Sequence, residues 1–153
     1  MKVPEKKSSH TKLEPDGYGD FLRGTKLVGL ALASCSASLD RGIYIELIEK
    51  KKSARNISAE YKLEDVQKDF FDVAAKFTLV MQDKAEGRKA LTIECSFAGH
   101  FHCGASAVPR EFANRFTQSE LRLILWPYFR EFVSNITAKM AIPPILIPLS
   151  SGE

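Results

Sequence analysis

Cysteine is scarce in this chain: Cys35, Cys95 and Cys103 are the whole complement. An odd number without paired spacing excludes a disulfide framework and points to a reducing, cytoplasmic setting. Long apolar runs are also missing. No stretch approaches the roughly 20 residues of a membrane-spanning helix, so no membrane is expected as a partner. Neither sign of charge dominates, with 22 Lys and Arg against 19 Asp and Glu and a net charge of +3. That balance lacks the strong basic field of a nucleic-acid binder. The one tight basic cluster is Lys50, Lys51 and Lys52 with Arg55, flanked by Glu46 and Glu49, and it reads as a solvated loop. There is no phosphate loop, no dinucleotide glycine pattern and no Ser-His-Asp spacing. The expectation is a non-enzymatic chain with no catalytic residue and no cofactor.

What is present is a length of 153 residues, enough for one domain that buries a core without staples. Residues 1–26 carry mixed charges, prolines and glycines without a hydrophobic period, and read as a flexible tail. Residues 27–39 are apolar and small and read as a first strand. Asp40-Arg41-Gly42 ends it, and Ile43, Tyr44, Ile45, Leu47 and Ile48 form an apolar patch in what reads as a connection. Three alternating segments follow. Ile57, Ala59, Tyr61 and Leu63 share one face of the first. Phe71, Val73, Ala75, Phe77, Leu79 and Met81 share one face of the second. Leu91, Ile93, Cys95, Phe97, Gly99 and Phe101 share one face of the third. Side chains of a strand alternate between its two faces, so the pattern predicts an antiparallel sheet covered on one side. Asp83 to Arg88, with Gly87, is a polar turn between the last two.

The period changes after Val108. Pro109 can open a short helix, and Thr117-Gln118-Ser119-Glu120 has the form of a capping box. Leu121, Ile124, Leu125, Tyr128, Phe129, Phe132, Val133, Ile136 and Met140 then recur at three- and four-residue steps, which predicts a long amphipathic helix. Pro127 predicts a kink or a helix start nearby, and Pro143, Pro144 and Pro148 an extended end. The apolar stripe is wider than one small sheet needs. Tyr128, Phe132 and Ile136 are therefore candidate core or oligomer-interface residues.

Two other readings compete. Leu32-Ala33-Ser34-Cys35 has the form of a lipoprotein cleavage box, which would make the chain an envelope adaptor lipidated at Cys35. His100 and His102 share a strand face and, with Glu94, outline a metal-binding alternative. Cys95 and Cys103 point the other way, however, and a structural site needs four ligands. The histidines are read as strand residues on the wetter face, with no metal.

Ile124-Leu125-Trp126-Pro127-Tyr128-Phe129-Arg130-Glu131 resembles the I-L-F-P-Y-A-R-E that opens the main helix of the SecB protein-export chaperones. Pro143-Pro144-Ile145-Leu146-Ile147-Pro148-Leu149 is similar to that family's proline tail. Phe97-x-Gly99-x-Phe101 resembles the end of its last strand, and Ser38-Leu39-Asp40 the end of its first. The resemblance covers about residues 27–149, with 1–26 and 150–153 as tails. It implies an α+β fold in which a four-stranded antiparallel sheet is followed by a long amphipathic C-terminal helix. It implies a homotetramer, built as a dimer of dimers. The implied activity is an ATP-independent holdase that takes unfolded client polypeptides into hydrophobic grooves and hands them to the export motor SecA. In that family the connection after the first strand lines the groove, which makes Ile43, Tyr44, Ile45 and Leu47, together with Trp126, the implied client-binding residues. Arg130 and Glu131 match the motif and are expected to pair or cap structurally. Two departures bear on SecA. The sequence carries no acidic tail after the proline segment, and its pI is about 8.7. A dedicated client, such as an antitoxin, is the alternative to export.

Overall fold

The computed structural model describes residues 17–104 and 107–149; residues 1–16 of the tail read at 1–26, and the tail read at 150–153, lie outside the described residues. In chain order the elements are α1 (Tyr18–Gly24), β1 (Lys26–Leu39), α2 (Arg41–Glu49), β2 (Ser53–Val66), β3 (Phe70–Asp83), β4 (Lys89–His102), α3 (Arg110–Ser119) and α4 (Leu121–Lys139). The strands form one four-stranded sheet in the order β1-β4-β3-β2, with every neighbouring pair antiparallel. This is an α+β fold with a long C-terminal helix.

Alternation along β3 and β4 builds the centre of the core. Phe71, Val73, Ala75, Phe77, Leu79 and Met81 are buried, and so are Leu91, Ile93, Cys95, Phe97 and Phe101 on the neighbouring strand. The register sets Phe71 opposite Phe101, Phe77 opposite Cys95 and Leu79 opposite Ile93. Gly99 faces Val73, and a Cβ there would come within 3.0 Å of Val73 Cγ2, so only glycine lets that pair close. The Asp83 carboxylate accepts hydrogen bonds from the backbone N–H groups of Ala85 and Glu86 at 2.7 and 2.8 Å. These donors hold its pKa below the usual carboxylate range and fold the turn into β4.

Helices close over this face through aromatic rings. Phe129 of α4 stacks on Phe77 with centroids 4.7 Å apart, and Trp126 meets Phe77 at 6.2 Å. Phe116 of α3 stands edge-on to Phe101 and Phe71 at 5.0 and 5.4 Å. The cover is incomplete. The inward row of β2, Ile57, Ala59, Tyr61 and Leu63, is half-buried, and residues 31–38 of β1 are exposed on both faces.

The structure corrects three expectations. Residues 18–24 of the supposed flexible tail form α1, whose Tyr18 and Phe21 are buried. Phe21 stacks on Phe71 at 5.9 Å, and Gly104 N–H donates to Gly24 O at 3.1 Å. The aromatic pair, spaced three residues apart, anchors a helix too short to show a period. Second, the connection after β1 is the helix α2. Third, no capping box forms. The Thr117 hydroxyl donates to Ala113 O inside α3, and Glu120 alone joins α3 to α4 in a helical conformation. Pro127 lies within α4, six residues after its start, and on its exposed side, where water can meet the carbonyl that its missing N–H leaves free.

Both α2 and α4 stop in the same way. Lys52 N–H donates to Leu47 O and Lys51 N–H to Ile48 O; Ile142 N–H donates to Thr137 O and Ala141 N–H to Ala138 O. Lys51 and Ala141 each take φ near 52°, the left-handed residue such an ending requires. After Ala141 the chain turns back along α4 as an extended strap. Ile142, Ile145 and Ile147 are buried. The Trp126 indole N–H donates to Pro148 O at 2.7 Å and Arg130 Nε–H donates to Ile147 O at 3.1 Å.

Two outcomes follow from this packing. Phe21→Ala lowers unfolding stability in denaturant titration by about 3–5 kcal/mol, the usual cost of deleting a buried phenyl ring, whereas a free tail would tolerate the change. Trp126→Phe keeps the ring but removes the donor to Pro148. It costs about 1 kcal/mol and speeds hydrogen exchange in the strap while leaving β3 and β4 protected.

Candidate functional site

The apolar patch after β1 becomes functional surface through helix geometry. Asp40 caps α2, its carboxylate accepting the Ile43 N–H at 3.0 Å and satisfying one of the free donors of the first turn. Residues three apart then share a face. Tyr44 and Leu47 point inward and are buried, while Ile45 and Ile48 point outward, 56% and 47% exposed. Ile43 is half-buried between them. Of the residues the resemblance implied, Tyr44 and Leu47 therefore belong to the core of the chain, and only Ile45 is fully presented to solvent. Ile48 joins it. The signal was in the sequence: an N-capping Asp ahead of apolar residues at 44, 45, 47 and 48 is a helical spacing.

Polar contacts hold α2 in place. The Arg41 guanidinium donates to Met140 O at 2.6 Å, tying the start of α2 to the end of α4. Glu46 lies 2.8 Å from Lys50 and 3.3 Å from Arg88. The bond to Lys50, followed by that to Arg88, holds the Glu46 pKa below its ordinary value. Lys50, Lys51 and Lys52 are exposed.

Trp126, the other implied client residue, is buried at 4% exposure. It packs on Phe77 and Phe129 and holds the strap through its indole N–H, so it is a core residue. Arg130 plays the structural part expected of it, on the strap carbonyl. Glu131 is exposed.

A second apolar row runs along α4. Leu121, Leu125, Phe129 and Val133 face the sheet and are buried. One step around the helix, Ile124, Phe132, Ile136 and Met140 are half-buried and Tyr128 is 41% exposed. At 3.6 residues per turn, this row lies on the flank opposite Trp126 and Arg130 and the strap they hold. The inward face of β1 is bare at Leu32 and Cys35. Leu146 and Leu149 of the strap are each 83% exposed, and both were missed as candidates. The alternation of Leu146 with the buried Ile145 and Ile147 carries that signal.

The histidines sit on the wetter face as expected. His100 Nδ1 pairs with the Asp72 carboxylate, and Phe70 stacks on the His100 ring at 4.8 Å. His102 Nε2 is 3.8 Å from Asp69. Among the described residues no three His, Cys, Asp or Glu side chains gather as a metal site would require. Cys35 lies within β1, in register with β4, so cleavage ahead of it would remove α1 and most of the strand. No described helix is long and apolar enough to cross a membrane.

Comparisons with known proteins agree with this architecture. The family model described as "Preprotein translocase subunit SecB" matches residues 38–149. Among solved structures, the chain is similar to a Mycobacterium tuberculosis SecB-like chaperone in complex with a peptide from an antitoxin. That match has a TM-score of 0.72 at 20% identity and covers 90% of this chain and 99% of that one. A Streptococcus agalactiae protein of unknown function gives a TM-score of 0.48 at 12% identity, over 81% of this chain and 96% of that one. No curated protein matches. With a SecB model spanning most of the sheet, both long helical segments and the strap, the chain belongs to the SecB family.

Proposed function

We propose that this chain is an ATP-independent, non-enzymatic holdase that binds unfolded polypeptides on the outward apolar face of α2. The observation that carries this reading is the exposure of Ile45 and Ile48 in a SecB-family fold. Two large aliphatic side chains are held out by a helix whose own core residues, Tyr44 and Leu47, are already satisfied. Fully burying each isoleucine against a client is worth about 1.5–3 kcal/mol. Ordering the client takes back part of that gain. A single site is therefore weak and sequence-tolerant, and useful holding needs several sites acting on one long chain.

That requirement favours an oligomer. The half-covered row of Tyr128, Phe132 and Ile136 supports assembly through α4, and a homotetramer in the cytoplasm is the form this reading adopts. The bacterial chaperone of similar fold was solved with an antitoxin peptide. This favours a dedicated client of that kind over general export through SecA.

Suppression of aggregation of a slowly refolding protein tests the activity. Joint replacement Ile45→Asp and Ile48→Asp weakens client binding roughly 100-fold, since about 3 kcal/mol of apolar burial is lost. Exposed positions away from the core change stability by no more than about 0.5 kcal/mol. Unchanged holding by a normally folded double variant would sink the α2 assignment. Assembly has its own measurement. The native protein should sediment near 68 kDa, about four chains, and Phe132→Glu with Ile136→Glu should shift it to a smaller species.

A further inference from the structure

Cys35 and Cys95 are direct partners across the β1–β4 ladder. Residues opposite each other in an antiparallel pair project to the same face, so the two thiols are neighbours. One is exposed and the other is buried. From this geometry we infer that the pair is a peroxide-responsive modification site, in which oxidation closes an intramolecular Cys35–Cys95 disulfide across the seam of the edge strand.

The spacing permits the bond. Opposed Cα atoms in an antiparallel pair lie about 4.5 or 5.5 Å apart, depending on whether the pair exchanges hydrogen bonds. Both values fall inside the range of about 4.4–6.8 Å that disulfides occupy. The Cβ atoms, about 4.5–5.5 Å apart in such a pair, have to close by roughly 0.7–1.7 Å to about 3.8 Å. β1 can yield that much, because within the sheet it pairs with β4 alone and its register already shifts between Leu32 and Ser34. Cys103 is not a competitor. It lies eight residues beyond Cys95, roughly 26 Å along an extended chain, and is buried.

Burial, followed by the nearness of Cys35, pushes the Cys95 thiol up to about 12, so it is protonated at neutral pH and cannot attack first. The order of steps follows. The Cys35 thiolate attacks hydrogen peroxide. An S–O bond forms, the O–O bond breaks, and the departing hydroxide takes up the proton that Cys35 lost, leaving as water. Cys95 sulfur then attacks the Cys35 sulfenic acid. The S–S bond forms, the S–O bond breaks, and the Cys95 proton leaves with the hydroxide as a second water. Both thiols are oxidised and one peroxide is reduced. A dithiol reductant reverses the change by exchange.

The experiment uses the full chain in its native assembly. Iodoacetamide should label Cys35 first. Hydrogen peroxide followed by digestion without reduction should then yield a Cys35–Cys95 linked peptide, with the intact chain lighter by two hydrogens. Hydrogen exchange across residues 31–38 should slow several-fold in the oxidised protein and recover with dithiothreitol. Cys103→Ser should still form the link, and Cys95→Ala should stop at a Cys35 sulfenic acid that dimedone traps. Cys35→Ser, altered only at an exposed position, should keep two thiols under peroxide and guards against a misfolded Cys95 variant. A Cys35 that resists labelling, a Cys35–Cys35 bond between chains, or oxidation to the sulfinic acid without any linked peptide would each overturn the inference.

Discussion

Phe77 lies face to face with Phe129 at 4.7 Å and edge-on to Trp126 and Phe97, and this cluster decides what the rest of the chain can do. It fixes α4 above β3, in the interior of the sheet. A helix about 10 Å across cannot also cover both margins of a sheet whose strands lie about 4.8 Å apart. The strap is held to α4 itself by Trp126 and Arg130. The inward row of β2 stays half-buried, and residues 31–38 of β1 are exposed. Unequal cover of the sheet is thus a consequence of where one aromatic stack places one helix.

The sheet was legible because its signal is binary. In β3 and β4 every second residue is apolar over many positions, and all of that row but Gly99 returns as the core. The long helix was legible for the same reason at a period of 3.6. What escaped were the short elements. α1 is too brief to display a period, and its anchors Tyr18 and Phe21 stand among charges and glycines. α2 carries both an N-cap and a helical spacing, but Asp40-Arg41-Gly42 reads as a break, and the apolar residues behind it span too few turns to establish a period. Thr117 to Glu120 had the right letters for a capping box. The chain was already helical from Arg110, however, so there was no free N-terminus for the box to cap. Tertiary context overrode a local motif.

The site residues that the resemblance implied show the same logic. The large contact area that suits an aromatic side chain to a client makes Tyr44 valuable to the core as well. Once Asp40 starts a helix, the spacing of apolar residues sorts them into two classes. Tyr44 and Leu47 go inward to fasten α2 on β4, and Ile45 and Ile48 are left outside. Composition identified the segment that matters, and backbone geometry decided which members of it meet solvent. The resemblance alone implied a client-binding Trp126. A buried indole requires an acceptor for its single N–H donor, and the strap carbonyl of Pro148 supplies one.

Residues 31–38 of β1 present a different balance. An open strand edge invites pairing with other chains, and proteins usually blunt it with charge, proline or a bulge. Here the segment is alanine, serine and cysteine with a single leucine, and it carries a register shift after Leu32. Small side chains offer little apolar area for a non-specific partner to bury, and beside this edge only Val28 and Leu32 are large, aliphatic and exposed. The other exposed large aliphatic side chains sit on α2, α4 and the strap, where the backbone is internally bonded or carries proline. Keeping most of the free apolar surface away from the free backbone limits the chain's tendency to template its own aggregation. That is a condition any protein must meet if it is to hold sticky partners in solution.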